Sequence, residues 1–260
     1  SAGAPEELSK LSPYQQKSVS NHIKHFQHCG IGEEDIEIIM ESGSKSVDII
    51  AYSIRSKSPD LECLISPTKT KSDVPPKNVK LAEAADKGDP IIYSSLFDKS
   101  FGGDGPDYPT PEGLIKLNDT VLIFTGPDYE HGIKRINKIS SRYIIVASAM
   151  STHTRNYLVS MDSKEIRHLT DGFKVEVVDK EKLIFKATGR KSYFKDFGGP
   201  FWYDALIDKT GKLIDIVSVE DKKNPECYSR SEFFEKSDIE TPDGSSLMGS
   251  ITSKEICVER

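Results

Sequence analysis

No window of the chain holds 18 consecutive apolar residues, which excludes a spanning helix of ordinary length. Positive charge is not in excess: 35 Lys plus Arg stand against 41 Asp plus Glu. The net field therefore repels phosphate backbones, and nucleic acid is excluded as an expected partner. Catalytic signatures are missing as well. There is no G-x-S-x-G, no H-E-x-x-H, no phosphate-binding P-loop and no dinucleotide fingerprint. Cysteine is scarce, with four residues and no CxxC pair, which argues against zinc ribbons and thioredoxin-like redox sites. Tryptophan occurs once. The hydrophobic share of 36% is low and the charged share of 29% high. These values describe a loop-rich globular chain, and 260 residues fit one large domain or two small ones.

The opening Ser1-Ala2-Gly3-Ala4-Pro5 has neither an initiating Met nor an apolar stretch, as expected of a cleaved leader or a trimmed terminus. Cys29, Cys63, Cys227 and Cys257 are even in number and widely spaced. The simplest of three connectivities joins Cys29 to Cys63 and Cys227 to Cys257. Each bond then closes a loop of about 30 residues, worth roughly 3–4 kcal/mol. Four buried thiols in a cytosolic protein are the alternative. The disulfide reading places the chain in a periplasmic or secreted setting.

Ser12-Pro13 opens the clearest helix, with Ser as N-cap, Pro at the first helical position and Gln15 at N3. Val19, Ile23 and Phe26 form a narrow apolar stripe, and Gly30 supplies the stop. After Gly32 the apolar period shortens to two. Short runs rich in Ile, Val, Tyr and Phe predict strands at Ile36–Met40, Val47–Ile54, Leu61–Ile65, Val121–Phe124, Tyr143–Val146 and Tyr157–Met161. More follow at Phe173–Val178, Leu183–Ala187, Phe201–Ile207 and Leu213–Val219. Residues 66–119 read as a long irregular excursion, with one helix near Val79–Ala85.

The chain repeats itself. Residues 132–149 align without gaps on 172–189 at an offset of 40, with Gly132/Gly172, Lys134/Lys174, Ile144/Ile184 and Ala147/Ala187 identical. Ile133/Phe173, Arg142/Lys182, Tyr143/Leu183 and Ser148/Thr188 are similar. Asp162 and Asp208 then begin tight hairpins, the second with Gly211 for its positive φ. Each copy reads as four strands. A four-stranded unit recurring every ~40–45 residues predicts propeller blades, with room for about five between Gly32 and Arg260. Ser253-Lys254-Glu255-Ile256 repeats Ser163-Lys164-Glu165-Ile166, and Leu247-Met248 sits where an apolar strand belongs.

The run Tyr157-Leu158-Val159-Ser160-Met161-Asp162, then Ile166-Arg167-His168-Leu169-Thr170-Asp171-Gly172 and Lys182-Leu183-Ile184-Phe185, resembles a TolB-type propeller repeat. The likeness spans roughly residues 132–220. Val178-Asp179-Lys180-Glu181 stands where that family has Ser-Pro-Asp-Gly, and no Trp-Asp dipeptide is present. What the resemblance implies is a binding platform, with no catalytic residue carried over. Ala187-Thr188-Gly189-Arg190-Lys191-Ser192-Tyr193 with Phe201-Trp202 also resembles the Ser-Gly-x-x-Tyr loop and Trp strand of bacterial periplasmic lysozyme inhibitors. Thr replaces Ser, and Tyr falls one residue late. That resemblance implies a loop at 188–193 that enters a lysozyme cleft.

Among candidate chemistries, His22, His25 and Cys29 share one arc of the first helix with His28 nearby, a sterically conceivable metal set or a solvated flank. Asp98, Asp104 and Asp107 offer oxygen ligands for calcium in a Gly-rich loop, although Asp-Gly sequences are first of all turn formers. No resident cofactor is expected. Glu176, Asp204 and Asp215 lie in predicted strands and would serve a propeller glycosidase if aimed inward together. Phe197-Gly198-Gly199-Pro200-Phe201-Trp202-Tyr203 carries three consecutive aromatics, with Tyr193 and Phe194 upstream. Exposed, they make a stacking surface for sugars or a protein hot spot; buried, a packing core.

The expectation is a mostly β protein, an antiparallel, propeller-like meander of about five blades at 32–260, preceded by a helical segment at 1–31. Its expected role is non-enzymatic binding of a protein or glycan. The recognition residues are Tyr193, Phe197, Phe201, Trp202, Tyr203, Phe101 and Tyr108, drawn from the aromatic segment and the 66–119 excursion. A propeller glycoside hydrolase and a periplasmic lysozyme inhibitor are the alternatives.

Overall fold

The computed structural model describes residues 8–43, 47–65, 91–94, 113–117, 119–125, 133–149, 154–195, 199–223, 225–242 and 255–259. The chain is mostly β and antiparallel, with a helix near its N-terminus. It divides into two compact units, residues 1–152 with 157–167, and residues 153–156 with 168–260.

In the first unit, helix α1 (Pro13–His28) forms where the sequence signals it. Ser12 Oγ accepts from Gln15 N and the Gln15 side chain accepts from Ser12 N, a reciprocal capping box. Gly30 ends the helix at φ +86°. A 3₁₀ turn (Glu33–Asp35) leads into β1 (Ile36–Ser42) and β2 (Ile50–Ile54). Leu61–Ile65, expected as a strand, is instead a short helix, α2. Asp60 Oδ1 accepts from Cys63 N, and the Cys29–Cys63 disulfide ties α2 to the end of α1. A first-turn cap and a covalent tether outweigh the β-propensity of five residues.

Strands β3 (Ile91–Ser94) and β4 (Gly113–Leu117) fall inside the expected excursion, whose other residues up to 118, including Val79–Ala85, lie outside those described. After them come β5 (Thr120–Thr125), β6 (Ile133–Lys138), β7 (Tyr143–Ala149), β8 (Thr154–Ser160) and β9 (Ile166–Gly172). The nine strands join in the order β3-β4-β5-β2-β1-β9-β8-β7-β6. The end strands β3 and β6 lie beside each other, so the sheet is nearly closed and barrel-like. Within the sheet, the β1–β9 pair is parallel, Glu41 opposite Ile166 and Ser42 opposite Arg167.

β2 is buried along its whole length, because both faces of this wall are covered. Ile36, Ile38, Ile50, Tyr52, Ile54, Val121 and Ile123 pack with Val19 and Phe26 of α1. Their neighbours Ile39, Ala51, Leu122 and Phe124 face the other way and pack with Ile136, Ile144, Val146, Tyr157 and Val159. The period-two alternation thus sorts residues between a helix-covered face and the barrel interior.

The second unit carries β10 (Lys174–Asp179), β11 (Ile184–Tyr193), β12 (Pro200–Ile207), β13 (Leu213–Glu220), β14 (Cys227–Ser229), helix α3 (Arg230–Lys236) and β15 (Glu255–Glu259). These six strands run β10-β11-β12-β13-β15-β14. The Cys227–Cys257 bond joins directly paired residues of β14 and β15. Phe194, Phe201, Tyr228 and Phe233 form an aromatic cluster, with Phe194 and Phe201 stacked at 4.4 Å, between the sheet and α3.

Both expected four-strand meanders are present, β6 to β9 and β10 to β13. They are not free-standing blades, however. The described strands bond into a nine-stranded and a six-stranded sheet where about five sheets of four were expected. The first meander is extended through the parallel β9–β1 pair and the second through β15 and β14. Leu247-Met248 lies outside the described residues.

Candidate functional site

Alternation along β12 decides which aromatics are available. Phe201 is 0% and Tyr203 6% exposed, both in the core, whereas Trp202 between them is 37% exposed. Of the expected recognition residues, Tyr193 also faces out at 43% exposure. Phe201 and Tyr203 are corrected to packing residues, since a strand buries every second side chain. Phe197, Phe101 and Tyr108 lie outside the described residues.

The structure adds an aromatic that the expectation did not include. Phe173, 50% exposed, sits immediately before β10, and its ring lies 5.2 Å from that of Trp202, tilted by 37°. Gly189 makes this possible. Its φ is +74°, and a Cβ there would stand 2.1 Å from Phe173 Cδ2. Asp204 Oδ1 accepts from Gly189 N at 3.0 Å and holds the bulge that interrupts the β11–β12 register. Phe173 therefore lies on a bare patch of backbone beside Trp202.

A signal for Phe173 was present in the repeat. Where the first copy has Ile133 and Ala149, the second has Phe173 and Gly189. Ile133 is buried in the barrel, while its counterpart is exposed. The two substitutions are paired in space, the larger ring filling what the glycine leaves open.

Polar groups surround the rings. Lys191 on β11 and Glu220 on β13 stand directly opposite Trp202 on either side, and both are exposed. Lys191 Nζ lies 5.2 Å from the centre of the Tyr193 ring. On β10, Glu176 pairs with Lys174 at 2.7 Å and Lys186 at 3.2 Å. Hydrogen bonds from these two lysines hold its carboxyl below the usual range. Beneath the face, burial pushes the Tyr203 phenol up, against the opposing influence of Arg190, whose guanidinium lies 5.7 Å from its ring.

The carboxylates considered for glycoside hydrolysis are committed to separate partners. Glu176 holds two lysines, Asp204 a backbone amide, and buried Asp215 accepts from Arg230 Nη1 at 2.5 Å and Ile216 N at 2.8 Å. Residues 188–193 lie within β11, Thr188 and Gly189 at its bulge and Arg190 to Tyr193 paired with β12, which differs from the protruding loop that the lysozyme-inhibitor likeness implies.

The helix set is likewise engaged internally. His22 Nδ1 meets Tyr52 Oη at 2.9 Å, His25 Nε2 meets Leu64 O at 3.2 Å, and Cys29 is oxidised. Burial pushes the Tyr52 phenol far above its ordinary value. Among the described residues, no group of three or more His, Cys, Asp or Glu could hold a metal. Asp98, Asp104 and Asp107 are outside them. Among the described residues, no helix is long and apolar enough to cross a membrane.

No family model matches the chain, and no curated protein or solved structure matches it.

Proposed function

We propose that this chain is a non-enzymatic binding module of the cell envelope or extracellular space, recognising a protein or glycan through the outward face of β10 to β13. The observation that carries the reading is the Phe173–Trp202 pair, two large rings held outward at 5.2 Å on a hydrogen-bonded sheet. Exposed aromatics of this kind cost free energy in water and supply rigid contact area on binding. Both disulfides support the compartment, because such bonds persist where the environment is oxidising. The resemblance to TolB-type repeats contributes the expectation of a platform, and Tyr193 extends that platform along β11.

The test is a binding panel of purified polysaccharides and envelope or matrix proteins, read for the natural chain and for the double variant Phe173→Ser, Trp202→Ser. Binding to at least one component, recovered chemically unchanged and weakened tenfold or more in the variant, is the expected result. Undiminished binding by a folded double variant would remove this face from the account.

A further inference from the structure

We infer that the ligand of this face is a neutral sugar residue of a glycan, stacked on Trp202 with its hydroxyls bonded by Lys191 and Glu220; this rests on the binding reading above. The register places three outward side chains in a row across neighbouring strands: Lys191, Trp202 and Glu220. Adjacent strands are about 4.8 Å apart, so the row spans about 10 Å. The Trp202 side chain thus stands between one cationic donor and one anionic acceptor of opposite charge.

That arrangement discriminates among occupants. A strongly acidic or basic peptide would be attracted by one flank and repelled by the other. A dry apolar protein surface would strip water from Lys191 and Glu220 and return nothing, at a cost such contacts rarely recover. A pyranose ring has an apolar face of C–H groups and a rim of hydroxyls that both donate and accept. It meets the aromatic ring with its face and the two charged groups with its rim. The hydrogen bonds are charge-assisted, stronger than those between neutral groups. Phe173, 5.2 Å from Trp202, widens the platform toward an adjoining residue of the same glycan. The platform is held before ligand arrives, because Gly189 admits Phe173 and Asp204 fixes the bulge.

The chain carries its own reporter, since Trp202 is its single tryptophan. Its emission is titrated with cellohexaose, chitohexaose, mannohexaose and maltohexaose, with heparin as a polyanion, and across a concentration series of the chain itself. The inference expects a saturable change with at least one neutral hexasaccharide. By calorimetry, Trp202→Ala should abolish that binding and Trp202→Phe should retain most of it. Lys191→Met and Glu220→Gln should each weaken it about tenfold. Thermal transitions close to that of the natural chain confirm that the variants fold. A response to heparin alone, a response only to the chain's own concentration, or no response at all overturns the sugar assignment. The panel experiment separates the two levels. If capture of a protein component still depends on Phe173 and Trp202, the face stands and only the sugar is wrong; if capture ignores them, both fall.

Discussion

His25 shows how burial is translated into a pH response. Its Nε2 meets the Leu64 carbonyl at 3.2 Å, so that nitrogen carries the proton. Nδ1 is buried with no hydrogen-bond partner among the described residues, and a second proton there would be left unsolvated. Burial accordingly pulls the ring's pKa below its ordinary value, and the charge of His28 adds to the effect. The sign follows from linkage. Below about pH 6.5 the unfolded ring takes up a proton that the folded ring refuses, so stability falls as the pH drops, until the folded ring also protonates. Denaturant melts at pH 7.5 and pH 5 should show a larger loss for the natural chain than for His25→Gln, which keeps a donor toward Leu64 but does not titrate. Equal losses would contradict the assignment. Asp215 gives a second test at this scale. Its buried carboxylate faces Arg230, and Arg230→Met would leave that charge without its cation. The expected cost is about 2–3 kcal/mol by chemical denaturation, the half-buried arginine placing it below the range for a fully buried pair.

Among the elements, α1 was legible because several local signals agree: Ser12 as cap, Pro13, Gln15 and the Gly30 stop. Ser12→Ala should cost about 1 kcal/mol, measured by thermal or denaturant unfolding. The strand pattern was readable for β1, β2, β5 and β6 to β13, whereas β15, which also buries alternate residues, was not among the expected strands. At α2, five residues carry too little periodicity to separate helix from strand, and the local helix signal is Asp60 as its cap. α3 is not among the expected elements, yet Ser229-Arg230-Ser231-Glu232 has the capping pattern, and Ser229 Oγ accepts from Glu232 N at 3.3 Å. The hairpin expectations divide instructively. Asp208 caps its turn through Thr210 N and Lys212 N, and Gly211 adopts φ +82°. Asp162 instead pairs with Arg142, while Ser160 caps the turn and Lys164 takes the positive φ. The same residue type at the same repeat position serves different ends, because the surrounding chain supplies different partners. Gly189→Val extends this argument to the site. A branched side chain at φ +74° strains the backbone and displaces the Phe173 ring. A loss of about 2 kcal/mol in stability is expected, together with a changed Trp202 emission. Unchanged emission would mean that Phe173 does not rest there.

For the molecule as a whole, the repeat was visible but its grouping was not. Hairpin and meander contacts are local, and local periodicity reports them. The parallel bond between β1 and β9 joins Glu41 to Ile166, residues far apart in the chain, and no pattern in either segment announces it. That pairing helps turn a row of meanders into a nearly closed sheet. The candidate site was partly legible for the same reason. The aromatic segment drew attention to Trp202, and alternation then divided it from Phe201 and Tyr203. Phe173 required the third dimension, because it reaches Trp202 across a glycine on another strand.

The account depends most on Trp202 standing outward on a rigid sheet and being covered when ligand arrives. Acrylamide quenching of its emission, recorded for the free chain and then at saturating ligand from the binding panel, measures this directly. The account predicts clear quenching of the free chain and marked protection once ligand is bound. A Trp202 already shielded in the free chain, or one quenched equally with and without ligand, would contradict it.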